Sequence, residues 1–316
     1  SLWGDVNADG QLDILLLRSG ENELWLGQGE AMFERDVAFD VGEVGQSVDG
    51  ALFDADHDGD LDVFVVNEQG APCELINNNG DGSWQVVSDT SSGFPGNAQH
   101  SRQVVVADFD GDLDSDVLVI NQQPPHMVWL NDRLWDWTQG GEEWNELLAA
   151  DIAAAVAADV DANGAMEVVS LDQASTVRVW SRDVDRWRSS EIATSTKTPP
   201  DLGDGVHLER STARPRRLAV VDVTGSGRLN VIRESGWVAD NQIGRPAVLD
   251  VLASDGRQLQ SFQAGRDWAL VQDVAGAGPG MIWVGAGGTI VTIPAGSGRF
   301  PFVDITLAGR TDPGQS

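Results

Sequence analysis

Short apolar runs separated by polar, glycine-rich turns dominate the chain, and no helical stripe of any length competes with them. Residues 104–107 and 218–221 are apolar runs of four, each followed by an acidic segment and then by a β-branched run. Those second runs lie at 12–17, 63–66, 117–120 and 168–169. Runs of four to six residues rich in Val and Ile, bounded by turn formers, read as buried strands. A third strand is expected at 24–26, 75–76, 128–130, 177–180 and 248–251. A fourth often opens with an aromatic residue: Phe33, Trp84, Trp137, Trp187 and Phe300. Residues 143–158 have some helical character, read as a short excursion before the next first strand.

The pattern recurs. Acidic segments of one form begin at Asp5, Asp54, Asp108 and Asp159, with two worn copies at Asp222 and Asp273, in steps of 49, 54, 51, 63 and 51 residues. Four strands per roughly 50 residues, repeated along nearly the whole chain, predict an all-β fold, a β-propeller of four-stranded antiparallel blades. Six blades are counted, starting near residues 1, 48, 102, 153, 216 and 267; a seventh is open if a neighbouring segment completes the ring. One domain is expected over 1–308, with 309–316 as a tail. The long step comes from an insertion around 194–204, and a second insertion, 233–245, is expected as a loop inside the fifth repeat.

Composition narrows the function. Asp and Glu number 50 against 20 Lys and Arg, for a formal net charge of −30. Such a surface argues against nucleic acid or an anionic bilayer, which need clustered cations. No apolar run approaches the ~18 residues of a membrane span, so no membrane insertion is expected. A single cysteine, Cys73, excludes an intrachain disulfide framework; it reads as a buried small apolar residue. The first residues show no signal peptide, which fits one already removed.

The acidic segments carry the chemistry. Oxygen-bearing residues stand at positions 1, 3, 5 and 9 of each good copy, and position 7 offers its backbone carbonyl. The sets are Asp5, Asn7, Asp9, Gln11 and Asp13; Asp54, Asp56, Asp58, Asp60 and Asp62; Asp108, Asp110, Asp112, Asp114 and Asp116; Asp159, Asp161, Asn163, Ala165 and Glu167. Calcium takes six to eight oxygens at about 2.3–2.6 Å, and alternate residues of a tight loop can converge on one centre. Gly10, Gly59 and Gly164 stand at position 6, where the turn is sharpest. The third copy has Gly111 at position 4 and Leu113 at position 6, which leaves its turn in question. Magnesium would keep more of its water, and zinc would call for Cys or His. About four calcium ions are expected. A weaker fifth set is Asp222, Thr224, Ser226, Arg228 and Asn230; the sixth has Ala275 and Ala277 where ligands should stand. A solvated acidic turn is the alternative for any one loop, but four such clusters would repel strongly without a cation.

The repeated D-x-[DN]-x-D-G-x-x-D followed by an apolar residue resembles the FG-GAP and VCBS repeats of integrin α-subunit propellers and of bacterial surface proteins. Residues 75–84, LINNNGDGSW, together with His100-Ser101 leading to Asp108-Phe109-Asp110, are similar to the cartilage acidic protein and UnbV group. Residues 302–310 resemble the start of that group's C-terminal module, cut short. The resemblance implies a calcium-stabilised interaction or adhesion module, extracellular, at the cell surface or periplasmic, that binds a protein or glycan partner.

Antiparallel blades put the acidic turns at one end of the strands and the longer, more varied loops at the other. Binding usually resides in such loops, so the end without calcium is the expected ligand face. His100, His126 and His207 map there, as does Trp237, which has no equivalent in the other repeats. Trp25, Trp129 and Trp180 recur at one strand position and read as core. No catalytic motif is present, so a non-enzyme is expected. The alternatives are a structural subunit of an extracellular assembly, and a hydrolase or lyase using the three histidines.

Overall fold

A computed structural model describes residues 1–264 apart from 31, 43–44, 88–93, 95–99, 134, 185, 195–196, 203–205, 213–214, 216, 223–226 and 240–246; beyond them it describes the backbone of four strands. Six antiparallel sheets follow one another along the sequence. The first is Leu2–Gly4, Asp13–Leu16, Glu23–Gly27 and Phe33–Arg35. The second is Gly45–Phe53, Asp62–Asn67, Glu74–Asn78 and Trp84–Val86, with Ser19–Gly20 added at its edge. Ser101–Ala107, Asp116–Asn121, Met127–Asn131 and Trp137–Gln139 form the third. Ala154–Ala158, Glu167–Leu171, Val177–Asp183 and Arg186–Ala193 form the fourth. Leu270–Gln272, Met281–Val284, Thr289–Ile293 and Val303–Thr306 form the sixth. The strands expected from the apolar runs are present, and Phe300 lies outside the described residues.

The chain divides into two compact units: Ser1–Val168 with Trp180–Ser189, and Val169–Val179 with Ser190–Ser316. In the first unit the second strands are buried along their whole length at Asp62–Asn67 and Asp116–Asn121. Apolar side chains project from both faces of these strands, which is why the runs are continuous and do not alternate. One face of the second sheet, with Val63, Val65 and Ile76, packs on Leu15, Leu24 and Phe39. The other face, with Phe64, Val66 and Leu75, packs on Val117, Val119 and Trp129. Each such side chain contributes about 1.5–3 kcal/mol by leaving water.

Aromatic residues fill the gaps between these sheets. Phe94 stacks on Trp137 at 4.5 Å and meets Trp129 edge-on at 5.4 Å. The helical excursion is brief, Glu142–Trp144 and Asn145–Leu148, and it seats Trp144 against Trp187 at 4.7 Å. Helix stops at Leu148, and the alanine-rich continuation Ala154–Ala158 is a strand instead, because its side chains pack beneath Val168 and Trp180. No described helix is long and apolar enough to cross a membrane.

The fifth sheet corrects the expected loop at 233–245. Its long strand Asn230–Ala239 runs straight through the first seven of those residues and pairs with Ala247–Ala253, which pairs with Gln258–Ala264. On its other side the long strand pairs with Leu218–Val221 along its first part and with Leu208–Arg210 along its last. Polar residues disguised this strand in the sequence. Arg233 stands where the first three repeats have Leu16, Val65 and Val119, yet it is only 1% exposed. Burial of the guanidinium is compensated by Asp250 Oδ2, 3.1 Å from Nη2 and 3.3 Å from Nε. It also donates to the carbonyls of Ser175 at 2.5 Å, Thr194 at 2.9 Å and Ala193 at 3.2 Å. Removing one partner of such a pair strands the other, so Arg233→Met is expected to destabilise the protein by about 3–5 kcal/mol. Urea unfolding followed by tryptophan fluorescence measures this, and an unchanged midpoint would contradict the assigned role.

Candidate metal centres

Each acidic turn joins the first and second strands of its sheet, and the four good copies share one backbone design. Position 4 is left-handed in all of them: Ala8 at φ 55°, His57 at 65°, Gly111 at 87° and Ala162 at 60°. Position 6 is left-handed too: Gly10 at 83°, Gly59 at 97°, Leu113 at 76° and Gly164 at 90°. The exchanged glycine of the third copy therefore leaves the turn unaltered, since glycine at either place lowers the steric cost. In every copy the position 1 carboxylate accepts the N–H of position 6, at 2.8 Å for Asp5, 3.1 Å for Asp54, 3.0 Å for Asp108 and 3.0 Å for Asp159. The worn fifth loop keeps this bond, from Gly227 N–H to Asp222 at 2.5 Å. Thr224 and Ser226 lie outside the described residues, as do Ala275 and Ala277.

The position 9 carboxylates sit at the base of the turns and are buried: Asp13, Asp62, Asp116 and Glu167. Asp62 accepts the N–H of Ala55 at 2.8 Å and that of Asn78, on the third strand, at 2.9 Å. Asp116 repeats this with Phe109 and Asn131, and Asp13 with Val6 and Gly27. Glu167 accepts from Val160.

Three of the turns bring a trio of carboxylates together, with one oxygen from each within 4.8 Å of the others: Asp54, Asp56 and Asp58; Asp108, Asp110 and Asp116; Asp159, Asp161 and Glu167. The first loop, with Asn7 at position 3, forms no such trio of acids among the described residues. Oδ1 of Asp54 and Oδ1 of Asp60 are buried without a hydrogen-bond partner among the described residues, which leaves them able to act as ligands. Burial pushes the carboxyl of Asp62 up to about 7 and that of Asp116 up to about 7, and the backbone donors offset only part of this. Burial and then repulsion from Asp58 push Asp60 up to about 6. Asp56, Asp110 and Glu167 are raised for the same leading reason, loss of solvent. The oxygen-only donor set fits a hard divalent cation such as calcium.

Asp114, at position 7, has its side chain engaged elsewhere: both oxygens accept from Arg133 Nε, at 2.9 and 3.0 Å, and His57 Nε2 of the preceding turn lies 2.9 Å away. Its backbone carbonyl is the part left for an ion, as is that of Ala165. Gln11 N–H donates to Asp9 at 2.8 Å, and Asn163 accepts the N–H of Ala165 at 2.7 Å. Asp112 and Asp161 each accept within their own turn. Asn230 belongs to the fifth sheet, donating to Leu252 O at 3.4 Å, and Arg228 is exposed.

Residues that spacing did not single out tie each of the first three turns to the next sheet. Asn131 donates to the carbonyl of Ala55 at 2.8 Å, and Asn78 to that of Val6 at 2.8 Å. Arg182, two residues after Trp180 as Asn131 is two after Trp129, donates to Asp110 O at 2.9 Å. The repeated offset from the third-strand apolar residue was the available signal.

The expected ligand-face residues separate. His126 is buried: its Nδ1 accepts the N–H of Asn121 at 3.1 Å, so Nε2 carries the proton toward Ala150 O at 3.0 Å. Its ring braces a loop and is committed at both nitrogens. His100, in the first unit, and His207, in the second, are exposed. Trp237 lies on the strand Asn230–Ala239, not in a loop, and is buried. Trp129 and Trp180 are core residues, while Trp25 is half-buried and donates to Glu23 at 3.2 Å. Burial pushes the Cys73 thiol up to about 11.

Comparison with known proteins bears on this arrangement. The FG-GAP-like repeat family matches residues 5–65 and 54–119. No curated protein matches the sequence. Among solved structures, an Agrocybe aegerita lectin, described as specifically recognising non-reducing terminal N-acetylglucosamine, is similar over 96% of this chain and 79% of its own, with 15% identity and a TM-score of 0.58. An Aleuria aurantia lectin, described as a six-bladed β-propeller with a novel fucose recognition mode, is similar over 96% and 95%, with 11% identity and a TM-score of 0.45. The Vibrio cholerae biofilm matrix protein Bap1 is similar over 86% and 42%, with 13% identity and a TM-score of 0.42. The repeat match and the fold of the Agrocybe aegerita lectin support FG-GAP-like repeats on a β-propeller; they do not reach the particular likeness to integrins or to the cartilage acidic protein and UnbV group.

The raised carboxyls fix a pH dependence. Groups whose folded pKa exceeds the unfolded value near 4 bind protons more tightly in the native state, so without metal the stability falls as pH rises from about 4 to 7. In EGTA the melting temperature is expected to rise as pH is lowered from 7.5 to 5.5. In calcium the trend should invert, because protons displace the ion. Parallel profiles in the two buffers would contradict cation binding at these turns.

Proposed function

We propose that this chain, a β-propeller carrying FG-GAP-like repeats, is a calcium-clamped interaction module. It binds a glycan or protein partner, in an extracellular or cell-surface setting, through the loops at the strand ends opposite the acidic turns. The observation that carries the calcium part is the convergence of carboxylates in three successive turns, with buried carboxylate oxygens left unpaired in one of them. The lectin likeness in fold supports the binding part. Calcium would be held by the carboxylates of positions 1, 3, 5 and 9 and the carbonyl of position 7, with about four ions in all. Bound there, it supplies charge neutralisation and rigidity to the turn ends of the sheets, and the opposite loops gain a stiff platform.

No step of this function requires acid–base chemistry. His126 is held between two backbone groups, and Asp54 and Asp108 each accept a backbone N–H of their own turn, from Gly59 and Leu113.

Equilibrium dialysis against millimolar calcium, with metal counted by mass spectrometry, is expected to find about four ions. Each independent site adds ~2.7 kcal/mol of stability at a hundredfold excess over its Kd. The double variant Asp54→Asn/Asp58→Asn should lose one ion and lower the calcium-induced rise in melting temperature while leaving the chelated protein folded. A metal-free protein whose melting is indifferent to EGTA would refute the reading.

A further inference from the structure

The strand Asn230–Ala239 has the worn acidic loop at one end and a cavity of about 420 Å³ at the other. That volume is within the range of small-molecule sites, ~300–1,000 Å³. We propose that this cavity, wholly within the second unit, binds a carboxylated sugar. The inference rests on the reading of the chain as a binding module, but not on calcium.

Two cations line the cavity in a chain of net charge −30: Arg210 and Lys197, the protein's sole lysine. Arg210 is positioned by its cross-strand partner. It pairs in register with Trp237, and its guanidinium carbon sits 4.3 Å from the centre of the indole ring. With 8% of its surface exposed, Trp237 is a backing for the cation and not a stacking platform for a ring.

The opposing wall is the turn between the second and third strands of the fourth sheet. Asp172 Oδ1 accepts the N–H groups of Ala174 and Thr176, each at 2.8 Å, and Asp172 Oδ2 is bound by Arg178 at 2.8 Å. Arg233 grips the Ser175 carbonyl from the core. The turn thereby holds Ser175 at φ 63°, a left-handed conformation that a non-glycine residue keeps only when its surroundings enforce it. Ser175 lines the cavity, is 1% exposed, and its Oγ has no hydrogen-bond partner. A buried hydroxyl with no partner in the protein points to a ligand atom as its partner.

The chemistry of the walls selects the ligand. The field of a strongly acidic protein repels anions at a distance, so a carboxylate is retained only where cations are focused. Glu234 also lines the cavity. It would oppose a bare carboxylate but accepts hydrogen bonds from sugar hydroxyls, while Ser175 and Thr176 serve hydroxyl oxygens. A ligand bearing one carboxylate and several hydroxyls meets both the cationic and the hydroxyl-bearing parts of the wall; a neutral sugar offers Lys197 no counter-charge, and acetate offers Ser175 and Thr176 no hydroxyl.

Isothermal titration of the full chain with sodium glucuronate, in calcium and in EGTA, tests the proposal, with glucose and sodium acetate at equal ionic strength as controls. Glucuronate should bind at least tenfold more tightly than either control, in both buffers. Lys197→Gln and Arg210→Gln should each weaken it about tenfold, and Ser175→Ala several-fold, without changing the melting temperature. N-acetylneuraminate in place of glucuronate tells whether a nine-carbon or a six-carbon acidic sugar is the better fit; stronger binding of either over glucose supports the proposal. Equal binding of glucose or acetate, no binding of either acidic sugar, or indifference to Lys197→Gln and Arg210→Gln would overturn it. Loss of calcium binding with glucuronate binding intact would defeat the calcium reading alone.

Discussion

Placing a carboxylate out of water at the foot of each of the first four acidic turns is the constraint on which their sheets depend. Asp13, Asp62 and Asp116 each use one oxygen to hold the second residue of the turn and the other to hold the third strand. One side chain thus joins turn, second strand and third strand at a single buried point. Two charge-assisted hydrogen bonds of roughly 1.5–3 kcal/mol each do not offset the several kcal/mol lost on desolvating the ion. The consequence is seen in Asp62 and Asp116, whose carboxyls are pushed up to about 7. Near neutral pH these groups take either a proton or a neighbouring cation, and the remaining carboxylates of the same turn supply the shell for the second outcome. Fold and candidate metal site are, in this sense, one feature.

Much of this was readable from spacing, because the turn is local. Carboxylates at alternate positions and a glycine at a left-handed residue lie within nine residues of one another, so sequence separation reports spatial separation. Even the third copy's departure resolves locally: Gly111 and Leu113 exchange places in a turn that is left-handed at both. The long-range partners were not readable. Asp114 fits the spacing of a ligand, yet its side chain is taken by Arg133 and by His57 from another repeat. His126 has the residue type of an acid–base group, but its ring is fastened at both nitrogens by backbone groups that no local pattern reveals.

Arg233 shows the same limit from the side of the fold. A polar stretch reads as a loop when periodicity is the only guide, because a strand is recognised by its apolar residues. Here a buried cation replaces one of them, and its cost is offset by Asp250 and three carbonyls distant in sequence. Trp237 was misplaced for the same reason: once Asn230–Ala239 is a strand, its indole becomes a buried backing for Arg210 and not an exposed loop residue.

The fifth repeat makes the relation between these features explicit. Its turn retains the Asp222 to Gly227 bond but has Asn230 where the first four copies have a buried carboxylate. With that carboxylate absent, the sheet has no desolvated acid at its base that needs neutralising there. The buried charge lies further along the strand instead, at Arg233, and it is balanced within the protein by Asp250. An internal ion pair requires no exogenous cation and fixes its neighbours at any calcium concentration. Arg233 uses that rigidity to hold Ser175 in a left-handed conformation at the cavity wall. The wall of the cavity is therefore held by a pair internal to the protein, which needs no metal to stay in place.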